Sequence, residues 1–150
     1  MTMFEEYYGF MADYTDFYRD VQRAEYEKLE ALLSNNLERM DEAMKNYQSC
    51  IKKAQQLEHE RIEMCMRMGF EDMAFSTICK KFPDDEKYKL IEQKNDLERL
   101  VKSIKYLNRK SIDLANMQLS ITNPDSTAFY NAKGEQESPL AKSSILNKQV

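Results

Sequence analysis

The residue best suited to acid–base or metal chemistry in this 150-residue chain is its single histidine, His59, in the run Leu57-Glu-His-Glu-Arg61. On a helix, His59 and Glu63 stand one turn apart, a spacing at which two side chains reach one metal ion, with Glu60 alongside. No second histidine exists to supply the paired Glu-x-x-His motifs of a di-iron bundle, and no cysteine lies one turn from His59 to complete a zinc site. His59 therefore reads as a solvent-facing helix residue. The three cysteines, Cys50, Cys65 and Cys79, form no C-x-x-C pair, and their odd number fits reduced thiols better than a disulfide framework. No Ser/His/Asp or Cys/His set sits in an elbow or strand context, and no glycine-rich phosphate loop is present. Carboxylates are abundant, but on amphipathic helices they form the solvated face. These observations point to no catalytic residue, no metal and no cofactor. The chemistry left is contact between proteins.

Three glycines and three prolines are too few for the turns of a β-sandwich or the phosphate loop of a Rossmann unit, so the chain is read as all-α. The formal charge of −4 resides in residues 1–20, where Glu5, Glu6, Asp13, Asp16 and Asp20 face only Arg19. The remainder is neutral overall, which argues against nucleic acid or anionic lipid as partner. The start, Met-Thr-Met-Phe-Glu-Glu, lacks the basic region of a signal peptide, and no 18-residue apolar run exists to insert in a membrane. With reduced thiols, this places the protein in the cytoplasm.

Which elements present these residues follows from periodicity. Tyr26, Leu29, Leu33, Leu37, Met40, Met44, Tyr47, Ile51 and Ala54 recur every three or four residues, the spacing of a helical seam. Leu57, Ile62 and Cys65 extend it, and Gly69 is a natural left-handed stop with Phe70 folding back over the last turn. The spacing predicts one helix over 21–68, roughly 70 Å long. Residues 71–82 read as a short connector with Asp72 as N-cap and Met73, Ile78 and Phe82 turned inward, ended by Pro83. A last helix over 85–121 repeats the seam through Leu90, Gln93, Leu97, Leu100, Ile104, Leu107, Ser111, Leu114, Gln118 and Ile121. Ile112, Ala115 and Leu119 draw a second apolar line on another face of that helix. Either a third helix covers this line or it waits for a partner.

The first twenty residues hold Phe4, Tyr7, Tyr8, Phe10, Tyr14, Phe17 and Tyr18. Phe4, Tyr7, Met11, Tyr14, Tyr18 and Val21 keep helical spacing, one residue out of phase with the seam from Tyr26, so a break is expected near Arg23. Such a stripe is core or an inter-subunit seam. Met64, Met66, Met68 and Met73 suit either core filling or an adaptable surface. Residues 123–150 scatter Phe129, Tyr130, Leu140, Ile145, Leu146 and Val150 without period, as a flexible, disordered tail does. The expected architecture is an elongated antiparallel helical hairpin or three-helix coiled-coil-like bundle over 1–122. Its parts are an aromatic, acidic N-terminal helix over 1–20, the long helix over 21–68, the connector over 71–82 and the last helix. The Tyr26–Ala54 seam is expected to pack on Leu90–Ile121, with Leu33 and Leu97 as core residues.

Four segments, in order, resemble the FlgN-type flagellar export chaperones. Leu57-Glu-His-Glu-Arg61 is similar to that family's Leu-Glu-x-x-Arg, and Met68-Gly69-Phe70 to its Leu-Gly-Phe. Leu107-Asn108-Arg-Lys-Ser111-Ile-Asp-Leu114 is similar to Leu-Asn-x-x-Asn-x-x-Leu, and Tyr130-Asn-Ala-Lys-Gly134 to the tail motif Tyr-Asp-x-x-Gly. The resemblance runs from Leu29 to Gly134. Ser111 departs from the family's second Asn, and Ala115 from a larger aliphatic. The resemblance implies a cytoplasmic, non-enzymatic chaperone. It would hold hook-associated (hook–filament junction) proteins unpolymerised and deliver them to the flagellar type III export gate. It implies cargo contact through the last helix, at Leu107, Asn108, Ser111 and Leu114, and through the tail. Ile112, Ala115 and Leu119 join this surface from the apolar line on that helix, while Phe129, Tyr130 and Gly134 are expected to clamp cargo or touch the gate. The competing reading is a structural coiled-coil scaffold or homodimer without a client. A scaffold keeps its seam apolar to the end, and this one turns polar at Ser111 and Gln118.

Overall fold

A computed structural model describes the backbone of residues 1–122 and the side chains as far as Ser120. The first long helix, α1 (Met3–Ser34), starts on a capping box in which the Thr2 hydroxyl accepts from the Glu5 N–H and the Glu5 carboxylate accepts from the Thr2 N–H. It runs through Arg23 without a break. The interruption falls instead at Asn35-Asn36. Asn35 takes the left-handed conformation (φ 54°, ψ 23°) that ends α1, and the Asn36 side chain accepts from the Arg39 N–H to cap α2 (Leu37–Arg67). Asparagine tolerates the first role and favours the second, so two in succession make a tight helical hairpin. The expected continuous helix over 21–68 is thus two elements folded back on each other.

α2 ends as its sequence indicates. Gly69 has φ +81°, its N–H reaches the Met66 carbonyl at 3.2 Å, and the Phe70 N–H reaches that of Cys65 at 2.7 Å. That double closure is a Schellman motif, and it turns Phe70 inward to a buried site. The connector is shorter than expected. α3 spans only Phe75–Cys79, its N-cap is Ala74, and Asp72 sits at φ 59° in the preceding turn rather than capping a helix. Ile78 is buried, with Met73 and Phe82 packed against the core. α4 (Asp84–Thr122) begins where the Pro83 carbonyl accepts from the Lys87 N–H.

Cross-helix pairs define the topology. Glu6–Arg67, Tyr14–Glu58 and Glu30–Arg39 link α1 to α2 antiparallel. Tyr8–Gln93, Gln22–Ser103 and Lys28–Asn108 link α1 to α4 parallel. The result is an up–down–up bundle with α1 as common neighbour. Its core is the α1 stripe Tyr7, Met11, Tyr14, Tyr18 and Val21, met by Leu90, Leu97, Leu100 and Ile104 of α4 and by Tyr47, Ala54 and Cys65 of α2. At the connector end, Tyr7 lies edge-on to Phe70 and Phe75 at 6.3 and 5.7 Å and stacks on Phe82 at 6.2 Å. The aromatic stripe is core.

The α4 seam is buried where it is apolar. The seam expected from Tyr26 is not: Tyr26, Leu33 and Leu37 are exposed, and burial on that line resumes only at Tyr47 and Ala54. In α1 the buried line continues in the phase set by Val21, onto Glu25 and Lys28. Leu97→Ala is expected to cost about 2–5 kcal/mol in urea denaturation, as for a fully buried leucine. Leu33→Ala, at a side chain 63 % exposed, should stay within about 0.5 kcal/mol.

Candidate partner-binding surface

α4 changes character along its length. From Leu90 to Ile104 it buries Leu90, Gln93, Leu97, Leu100, Val101 and Ile104. From Lys105 to Ser120 only Ser111 and Ile112 are buried, while Leu107, Asn108, Leu114, Ala115 and Leu119 are half-buried. The seven helix residues expected to bind cargo therefore divide. Ser111 and Ile112 are closed over, and the other five are half-covered. The Ser111 hydroxyl is buried without a hydrogen-bond partner among the described residues. Phe129, Tyr130 and Gly134 lie outside the described residues.

Further apolar surface gathers at the same end of the bundle. Gln118 Nε2 donates to the Leu32 carbonyl at 3.1 Å and reaches Asn35 Oδ1 at 3.5 Å, which brings the end of α4 beside the α1–α2 turn. There Leu33 and Leu37 are 63 % and 79 % exposed, and Met117 on α4 is 55 % exposed. Sequence spacing had enlisted Leu33 and Leu37 as core. The signal that frees them is the Ser-Asn-Asn turn between them.

Two polar layers cross the core, and both involve residues singled out by the motifs. In the first, Arg61 grips Glu58 through two nitrogens at 2.7 and 3.1 Å, and the Tyr14 hydroxyl donates to the same carboxylate at 2.9 Å. The pair is largely withdrawn from water, with side chains 12 % and 16 % exposed. Burial by itself lowers the Arg61 pKa, but Glu58 outweighs it and holds the guanidinium firmly charged. Burial drives the Tyr14 phenol far up, so it stays a neutral donor. The Leu57–Arg61 motif is thus a brace between α2 and α1. His59, within it, faces solvent beside Glu63 at 3.0 Å.

In the second layer, Lys28 Nζ sits 2.9 Å from Glu25 Oε2, donates to Asn108 Oδ1 at 3.1 Å, and lies 3.9 Å from the centre of the Tyr47 ring. Both charged side chains are almost fully enclosed. Burial raises the Glu25 pKa, opposed by Lys28 and by a hydrogen bond from Tyr47. Neither residue was recognised from sequence, since an isolated Glu and Lys look like solvent-face residues. Stepping on from Val21 by four and then three would have found them.

Among the described residues, no group of three or more His, Cys, Asp and Glu side chains is placed to hold a metal ion, and no helix is long and apolar enough to cross a membrane. Cys65 and Cys79 are buried and Cys50 half-buried, all three as free thiols whose pKa burial pushes up, which makes them poor nucleophiles.

The described residues form an all-helical bundle that leaves apolar side chains along its last helix incompletely covered. A family model described as FlgN protein matches residues 1–138, and the chain belongs to that family of flagellar export chaperones. The match begins at residue 1, so it takes in α1 as well as the segments from Leu29 onward. No curated protein and no solved structure matches the chain.

Arg61→Ala leaves a buried carboxylate without its cation and should cost about 3 kcal/mol in urea denaturation, against about 1 kcal/mol for Tyr14→Phe, which removes one hydrogen bond and keeps the pair. Glu25 gives a pH signature. A carboxyl whose pKa is raised on folding binds its proton more tightly in the folded state. Its contribution to stability is therefore full below the unfolded value of about 4.3 and is lost as pH rises through the folded value. Glu25→Gln should flatten that fall in a stability–pH series.

Proposed function

We propose that this protein is a cytoplasmic, non-enzymatic chaperone that binds hook-associated (hook–filament junction) proteins through the upper half of α4 and the following tail. In this reading it keeps them from polymerising early and delivers them to the flagellar type III export gate. Family membership supplies the class. The observation that carries the assignment of the surface is the change along α4, tightly buried to Ile104 and then half-covered at Leu107, Leu114, Ala115 and Leu119. An unassembled subunit with an amphipathic terminal helix has an apolar stripe to cover, and a helix laid along a half-covered helix covers both. Leu107, Asn108, Leu114, Ala115 and Leu119 would make first contact. Ser111 and Ile112 would be reached once α4 shifts from its neighbours. Phe129, Tyr130 and Gly134 would complete the contact from the tail or meet the export gate.

The alternative, a client-free scaffold or homodimer, would use the same exposed leucines to join two copies. Co-purification with hook-junction subunits separates the two, using the full chain and a truncation after Thr122. A one-to-one complex weakened by truncation is expected, and a stable homodimer that captures no flagellar subunit would favour the scaffold. Leu119→Asp should abolish cargo binding while circular dichroism stays helical. Retained binding would remove this face from the assignment.

A further inference from the structure

Two kinds of contact hold α4 to α1, and their balance changes along its length. Up to Ile104 a continuous apolar seam dominates, joined by hydrogen bonds from Gln93 to the Tyr8 carbonyl and from Gln22 to Ser103. Above it, Ile112 is the one fully buried apolar side chain between residues 105 and 120, Leu107, Leu114, Ala115 and Leu119 are only half-buried, and two directional contacts reach α1: Lys28 Nζ to Asn108 Oδ1 at 3.1 Å and Gln118 Nε2 to the Leu32 carbonyl at 3.1 Å. Apolar burial scales with area and is indifferent to direction, so the thinner seam of this segment constrains rotation about the helix axis less than the seam below it. A hydrogen bond from a buried cation works at one distance and one angle. Lys28 is itself fixed from two other sides, by Glu25 Oε2 at 2.9 Å and by the Tyr47 ring at 3.9 Å. Its nitrogen is a rigid point against which α4 is set. Buried polar groups in a helical seam add little net stability, and their best-attested use is to specify register.

We propose that Glu25 and Lys28 are positioning residues for the client-binding segment: by holding Asn108, Lys28 fixes the rotation of residues 108–120, with Ile112 turned in and Met117 turned out. The inference rests on the reading that this segment receives the client, and it adds the residues that decide which face is offered. Neither Glu25 nor Lys28 touches the client in this account.

The test uses the full chain and two variants. Glu25→Leu with Lys28→Met replaces the whole pair by apolar groups and strands no buried charge. Asn108→Leu removes the acceptor and keeps the pair. Hydrogen–deuterium exchange, urea denaturation and affinity for a hook-junction subunit are measured for each. The double variant should leave the urea midpoint unchanged or higher, whereas Asn108→Leu, which leaves the buried ammonium short of an acceptor, should lower it slightly. Both should speed exchange of amides 106–120 by at least about tenfold (the loss of one hydrogen bond to a charged group) and leave amides 90–104 as they were. Client affinity should fall in both. Unchanged exchange over 106–120, or a uniform rise along all of α4, overturns the proposal, because a merely structural pair would move the whole helix or nothing. Should the double variant fail to fold, Asn108→Leu decides alone. Should the unmodified chain bind no hook-junction subunit, the functional reading falls while the exchange result still decides whether Lys28 sets the segment.

Discussion

A single helix here has to satisfy two neighbours at once, and most other features are consequences of that demand. α1 meets α2 antiparallel and α4 parallel, and its stripe from Tyr7 to Val21 lies between them. Aromatic side chains suit that position, since one ring is wide enough to touch both flanking helices and the connector. At the closed end Tyr7 meets the connector, with Phe70, Phe75 and Phe82 around it. The Schellman turn at Gly69 is what brings Phe70 there, so a backbone conformation of one residue is tied directly to the packing of the bundle's base.

The two polar layers do different work. The Glu58–Arg61–Tyr14 brace keeps every hydrogen-bonding group close to a partner and locks α2 to α1 midway along the aromatic stripe. The Glu25–Lys28 pair lies further up, where the stripe stops being aromatic. It lies near the point where the tightly buried seam of α4 gives way to half-covered residues.

Much of this was legible in the sequence because it depends on local rules. The α4 seam at Leu90, Leu97, Leu100 and Ile104, the stop at Gly69 with Phe70 folded back, and the aromatic line of α1 all follow from spacing and backbone preference. The misreadings have a common cause. Apolar residues happen to keep 3.5-residue spacing from Tyr26 through Leu33 and Leu37 to Ala54, so the pattern ran straight across a turn that only Asn35 and Asn36 announce. With the hinge missed, the phase after Val21 was reassigned and the buried Glu25 and Lys28 went unseen. Glu58 and Arg61 were noticed as a motif, yet their use depends on Tyr14, 44 residues away, and no local rule reports a contact at that distance. Among the expected cargo residues, the spacing put Ser111 in the α4 seam, where it is buried, but assigned Ile112 to another face although it turns inward as well.

The parallel pairing of α1 with α4 also fixes an order of assembly on the ribosome. The partners it joins, Tyr8 with Gln93 and Leu32 with Gln118, are 85 and 86 residues apart. The α1–α2 hairpin needs far shorter loops and can close once residues up to Arg67 have emerged, since closing a loop costs more as it lengthens. Until α4 follows, the side of α1 that will bear Leu90 and Leu97 is bare. A nascent chain of this protein thus carries, for a time, the kind of unpartnered apolar stripe that the finished protein is proposed to cover on others. The segment proposed to do the covering is the last of the described helix to be made.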